Sequence, residues 1–190
     1  MQRRGFIQGL TALTTFTTWG ALNQRTAYAQ GVDRKALEEM QKSWKSLLAD
    51  GTPEVLAAPP LKMADAEWRK RLAPQAFDVL RQEGTERAGS SSLNGEKRPG
   101  VFVCEGCALP LFTSAMKFES GTGWPSFFTT IPVAFVKKTD YKLILPRTEY
   151  HCAKCGGHHG HVFEDGPQPT RERWCNNGVA LRFIPKVGKG

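Results

Sequence analysis

Five cysteines divide four and one, and that division constrains the chain more than any other feature. Cys104-Glu-Gly-Cys107 and Cys152-Ala-Lys-Cys155 are two Cys-x-x-Cys pairs with 44 residues between them, while Cys175 stands apart. Two thiolates on a tight turn, here beside Gly106 or Gly156-Gly157, can face one cation. Two such turns complete a tetrahedron of sulfurs about 2.3 Å from a zinc ion. With every position filled by protein, such a centre is structural. The gap between the pairs exceeds the usual zinc-ribbon range, so a folded sheet rather than one hairpin must bring them together. Two disulfides, or a redox-active Cys-x-x-Cys, are the rival readings. The redox motif wants a βαβ context, and none surrounds either pair.

Cys175 lies in Arg173-Trp174-Cys175-Asn176-Asn177, close in sequence to all four histidines, His151, His158, His159 and His161. Imidazoles near a thiol lower its pKa and supply protons, which is the arrangement of a nucleophile. A buried structural cysteine is the plain alternative. A second metal site built from the histidines is another.

Around these residues the chain changes texture. Asp33 to Asp50 spaces Leu37, Met40, Trp44, Leu47 and Leu48 as an amphipathic helix ended by Gly51-Thr52-Pro53. After the linker Leu56-Ala-Ala-Pro-Pro60, Trp68, Leu72, Ala76, Val79 and Leu80 predict a second helical stretch. From Val101 onward come short β-branched and aromatic pieces, Val101–Val103, Val133–Val136, Tyr141–Leu145 and Val179–Ile184, between Gly- and Pro-bearing turns. They predict a small antiparallel β-domain. An apolar share of 40% with 11 Phe and 5 Trp excludes a disordered chain.

The N-terminus reads as an address. Arg3-Arg4-Gly-Phe-Ile, a Thr-rich apolar run and Ala27-Tyr28-Ala29 resemble the bacterial twin-arginine export signal, with cleavage after Ala29. The run is a poor permanent membrane anchor, and the mature chain is expected in the periplasm. Removing residues 1–29 leaves 23 Lys+Arg against 18 Asp+Glu. That surplus is scattered among acids, a pattern that argues against a nucleic-acid partner.

Four strings carry a closer likeness: Cys104-Glu-Gly-Cys107 with Leu109-Pro-Leu-Phe112; Phe118-Glu-Ser-Gly-Thr-Gly-Trp-Pro-Ser-Phe127; Cys152 to Pro167 with Gly160-His-Val-Phe163; and Arg173-Trp-Cys-Asn-Asn177 with Leu181-Arg-Phe-Ile-Pro185. Together they resemble the methionine-R-sulfoxide reductase, type B, family over about Asp65 to Lys186. With the export signal at 1–29, the resemblance divides the rest of the chain into a helical extension and linker at 30–63 and a reductase domain at 64–187. It implies a mainly β fold of two small antiparallel sheets with N-terminal helices, braced by one structural zinc on Cys104, Cys107, Cys152 and Cys155.

The same resemblance implies thiol-dependent reduction of methionine-R-sulfoxide, free or in oxidised proteins. Cys175 is then the nucleophile, His161 the first candidate acid and His158 the second, with Asn177 hydrogen-bonding in the pocket. Trp124 would pack against the substrate methyl group and Phe183 would join it. His159, Trp174 and Asn176 depart from the family's usual residues. No cysteine is left to resolve a sulfenic acid on Cys175, so an external thiol or thioredoxin-like reductant is expected to do so. A zinc-stabilised binding module of the same fold without catalysis is the competing function, and a zinc-free thiol-disulfide enzyme the third.

Overall fold

The computed structural model describes residues 32–48, 60–141 and 145–186. The export segment, the 51–53 stop and most of the 56–60 linker lie outside these. The first predicted helix forms as α1 (Arg34–Lys42), begun by the Asp33 carboxylate accepting from the Ala36 N–H at 2.8 Å. It then tightens into a 3-10 turn over Ser43–Leu47 that buries Trp44. That indole joins the core of the domain, with Met40, Leu47 and Leu48 packed beside it, and Gln41 Nε2 donates to Thr129 Oγ1 at 2.7 Å. The extension is thus part of the packed body.

The second helical stretch is two helices, α2 (Asp65–Arg71) and α3 (Pro74–Gln82). Pro74 explains the break. It has no N–H to continue α2 and biases Ala73 toward extended backbone, yet it suits the first turn of a new helix. α3 buries Ala76, Phe77, Val79 and Leu80.

Nine strands follow among the described residues: β1 (Gly100–Cys104), β2 (Pro110–Thr113), β3 (Lys117–Phe118), β4 (Ser126–Phe127), β5 (Phe135–Asp140), β6 (Arg147–Cys152), β7 (His158–Phe163), β8 (Arg173–Asn176) and β9 (Leu181–Pro185). They form two antiparallel sheets, β2-β1-β9 and β3-β4-β8-β7-β6-β5. The mainly β expectation holds. In place of the expected Val133 start, β5 begins at Phe135; Val179 and Ala180 belong to a 3-10 turn before β9. Of the expected strand Tyr141–Leu145, residues 142–144 lie outside the described set, and Tyr141 and Leu145 are exposed and outside any strand.

Aromatic rings join the sheets. Phe112 stacks on Phe127 with centroids 3.9 Å apart, and Phe102 meets the same ring edge-on at 5.0 Å. Gly160, with φ of +156°, permits the close approach of β7 and β8: a Cβ there would lie 2.0 Å from the Cys175 carbonyl oxygen.

Candidate active site and metal centre

Two hairpin tips, one from each sheet, make the candidate metal centre. Cys104 ends β1 and Cys107 sits in the turn to β2; Cys152 ends β6 and Cys155 sits in the turn to β7. The turns repeat one geometry. The Ala108 N–H bonds to the Cys104 carbonyl and the Gly156 N–H to the Cys152 carbonyl, both at 2.8 Å. Likewise the Cys104 N–H reaches the Leu109 carbonyl and the Cys152 N–H the Gly157 carbonyl, again at 2.8 Å. The residue after each second cysteine is left-handed, Ala108 at φ 59° and Gly156 at 69°. In the first turn this conformation falls on an alanine, not on Gly106.

All four Sγ atoms lie within 4.8 Å of one another. Cys104 and Cys155 are 3.6 Å apart and Cys107 and Cys152 3.5 Å, far beyond an S–S bond of about 2.05 Å. These separations suit sulfurs sharing one tetrahedral cation. Mutual hydrogen bonding draws the Cys107 and Cys155 thiols below the ordinary range and pushes Cys104 and Cys152 above it, so the four sulfurs share their protons as one group. The donor set fits a structural metal ion.

Cys175 is elsewhere, half-buried on β8. Register aligns Ser126, Cys175, His161, Glu149 and Lys138 across β4, β8, β7, β6 and β5. Residues directly opposite share a face of the sheet, so the lone thiol and His161 are brought together. Burial pushes the Cys175 thiol up, while the Arg173 charge and hydrogen bonds from Thr122 and Arg173 pull it down. Arg173 is itself held by Asp165 through Nε at 2.8 Å and Nη2 at 3.0 Å.

The histidines stand in a row. His158 lies edge-on between His151 at 5.3 Å and His161 at 5.5 Å. His161 Nε2 is 2.8 Å from Asp140 Oδ2, which also accepts from Arg147 at 2.6 Å. A carboxylate only accepts, so Nε2 carries the proton and the ring is fixed. Burial first, then the neighbouring His151 and His161, pushes His158 down to about 4. His158 is therefore neutral near pH 7. His159 faces away, fully buried against Phe135 and Tyr150.

Asn177 is buried and occupied by the protein: Oδ1 accepts the Glu86 N–H at 2.9 Å, and Nδ2 donates to the His159 carbonyl at 3.0 Å. Glu86 is a hub. Its carboxylate accepts the Gly178 and Val179 N–H groups at 2.6 and 2.9 Å, and its carbonyl accepts Trp124 Nε1–H at 3.2 Å. Trp124 is half-buried and lines a cavity of about 250 Å³ with Lys117, Phe118 and Ser120. Phe183 belongs to the other sheet, tilted on Phe102 at 4.8 Å beneath the Arg98 guanidinium.

Sequence reasoning gave no role to Glu86, Thr122, Asp140, Glu149 or Arg173, though Thr122 and Arg173 lie within the quoted strings. Scattered charged and hydroxyl residues carry no spacing signal; only strand register shows Glu149 opposite His161.

The SelR domain matches residues 72–185, which contain both hairpin tips, the histidine row and Cys175. The chain belongs to the SelR family. A "Peptide methionine sulfoxide reductase MsrB" of Methanosarcina barkeri is 47% identical over 129 residues, covering 67% of this chain and 91% of the relative. An MsrB of Leptospira interrogans is 46% identical over 63% of this chain and 92% of its own. "Peptide methionine sulfoxide reductase B1, chloroplastic" of Arabidopsis thaliana is 47% identical over 64% and 60%. The SelR match begins after α2, so α1 and its buried Trp44 are additions to the matched domain. Among the described residues no helix is long and apolar enough to cross a membrane.

Proposed function

We propose that the chain reduces methionine-R-sulfoxide, free or within oxidised proteins, to methionine, with Cys175 as the nucleophile. What carries this reading is the placement of the one thiol outside the metal quartet directly opposite His161 on the sheet. The thiolate attacks the sulfoxide sulfur, and the oxygen, once protonated, passes to Cys175. The products are methionine and a sulfenic acid on Cys175. Sulfoxide oxygen leaves poorly without a proton, so a positioned acid is worth about 10² to 10⁴ in rate.

His161, steadied by Asp140, is the acid; neutral His158 binds the sulfoxide oxygen by hydrogen bonding. Arg173 and Thr122 hold the developing thiolate. Trp124 offers its ring to the methyl group, and Asn177 acts with Glu86 to fix the 177–179 turn behind the sulfur. Two equivalents of an external thiol, or a thioredoxin-like dithiol, then return the sulfenic acid to thiol, releasing water and a disulfide.

Cys104, Cys107, Cys152 and Cys155 hold one zinc ion, which when bound braces the two hairpin tips and supplies no reacting group. The Arg3-Arg4 segment and Ala27-Tyr28-Ala29 support export to the bacterial periplasm, where the reductant would be an exported thiol carrier. Separated R and S epimers in a dithiol-driven assay test the activity. Consumption of R alone, abolished by Cys175→Ser with zinc content unchanged, is expected. Binding of sulfoxide peptides without consumption would instead favour the non-catalytic module.

A further inference from the structure

Glu149 sits at the centre of a second cluster, beside the lone thiol's row but apart from the four sulfurs. One donor atom each from Glu149, His151 and His158 lies within 4.8 Å of the others. His151 Nδ1 is 3.2 Å from the Gly156 carbonyl oxygen. A carbonyl only accepts, so the proton resides on Nδ1, and in the neutral ring Nε2 presents a lone pair. That Nε2 lies 3.3 Å from Glu149 Oε1, buried and without a hydrogen-bond partner. His158, 2% exposed, repeats the situation: its Nδ1 is 3.3 Å from Glu149 Oε2, also buried and unpartnered. Two ring nitrogens without a well-formed hydrogen bond therefore converge on one buried carboxylate, which is costly unless a proton or a metal cation lies between them.

We propose that Glu149, His151 and His158 form a second, exchangeable site for a divalent transition cation, and that its occupation fixes the His158 ring through Nδ1 and slows turnover. The first half stands on the cluster alone; the second rests on the proposed function.

Two imidazoles and a carboxylate with an open position are the donor set of zinc-like ions. Calcium and magnesium ask for more oxygens than the cluster offers. The Nδ1–H bond from His151 to a backbone carbonyl is the brace that commonly orients a ligating imidazole. Lys138 Nζ occupies Glu149 Oε1 at 3.0 Å and is the competitor. Its arm is 61% exposed and has Glu83 at 3.5 Å as a second partner, so it can yield the carboxylate to an incoming ion. His151, 17% exposed, is the side of entry. Gly156 belongs to the turn that carries Cys155, so the first centre fixes the ring that serves the second.

The test is equilibrium dialysis of the zinc-loaded full chain against zinc, with metal counted per chain. Wild type should hold two ions and His151→Gln one. Cobalt(II) as the second equivalent should show weak ligand-field bands with no added sulfur-to-metal charge transfer. Added zinc should slow R-sulfoxide turnover by wild type and leave His151→Gln unaffected. A wild-type chain that saturates at one ion, or a His151→Gln chain that keeps the second, overturns the site. Two bound ions with unchanged turnover overturn the control of His158. A chain with no sulfoxide turnover defeats the proposed function while the metal count still decides the site.

Discussion

At Cys175, burial and a nearby guanidinium pull in opposite directions. Burial holds the thiol above the ordinary cysteine range, so the thiolate fraction grows as pH rises, and Arg173 limits the penalty. Alkylation of Cys175 by iodoacetamide should accelerate with pH, and Arg173→Ala should move that profile to higher pH. An unmoved profile would remove Arg173 from thiolate stabilisation. His159 makes a different case. Its ring is fully buried with only the Asn176 amide beside it as a partner, so at least one ring nitrogen lacks a hydrogen bond, and burial pushes it down to about 3 from 6.5. An unmade buried hydrogen bond costs about 1 to 3 kcal/mol, so His159→Leu should raise stability by that order at pH 7, read from urea midpoints. Below about pH 6.5 the unfolded chain takes up a proton that the folded chain refuses until about pH 3. Wild-type stability should therefore fall on acidification, with about 2 kcal/mol from this residue lost by pH 5. His159→Leu should lose correspondingly less between pH 7 and 5; an equal loss would contradict the assignment.

Elements explain why the metal centre was visible in the sequence and the strands around Cys175 were not. A duplicated Cys-x-x-Cys is a local pattern, and two such turns fold alike whether a glycine or Ala108 follows. β6, β7 and β8 instead read Arg-Thr-Glu-Tyr-His-Cys, His-His-Gly-His-Val-Phe and Arg-Trp-Cys-Asn. Glu149, His161 and Cys175 line one face of these strands because that face carries the site, but polar Thr148, His159 and Asn176 stand on the opposite side, the last two in the core, which erases the apolar alternation that marks a strand. Pro74 was the legible signal that the second helical stretch is two helices, and the periodicity alone hid it. Since the four sulfurs tie β1–β2 to β6–β7, Cys104→Ser or Cys152→Ser should release metal and loosen both sheets together. A loss of several kcal/mol, roughly 2 to 4 °C of Tm for each, is expected in thermal scans. Loss of metal with an unchanged Tm would make the centre dispensable. Gly160→Ala should cost at least about 2 kcal/mol and displace β8, because its Cβ would strike the Cys175 carbonyl.

Across the whole molecule, labour is divided between places. The hairpin tips hold the sheets together and the face of the larger sheet carries the thiol and its imidazoles. The Glu86 hub ties the helical side to the turn after Cys175. The α1 segment adds Trp44 to the shared core, so deleting residues 30–48 should lower Tm while leaving the preference between sulfoxide epimers intact. A changed epimer preference would place α1 at the pocket instead. The most direct test of the account is a single turnover with methionine-R-sulfoxide in the absence of reductant, followed by mass mapping with a sulfenic-acid trap and a metal count. One methionine formed per chain, one trapped oxygen on Cys175 and one retained zinc are predicted. Oxidation within Cys104, Cys107, Cys152 or Cys155, with loss of metal or a disulfide to Cys175, would contradict it.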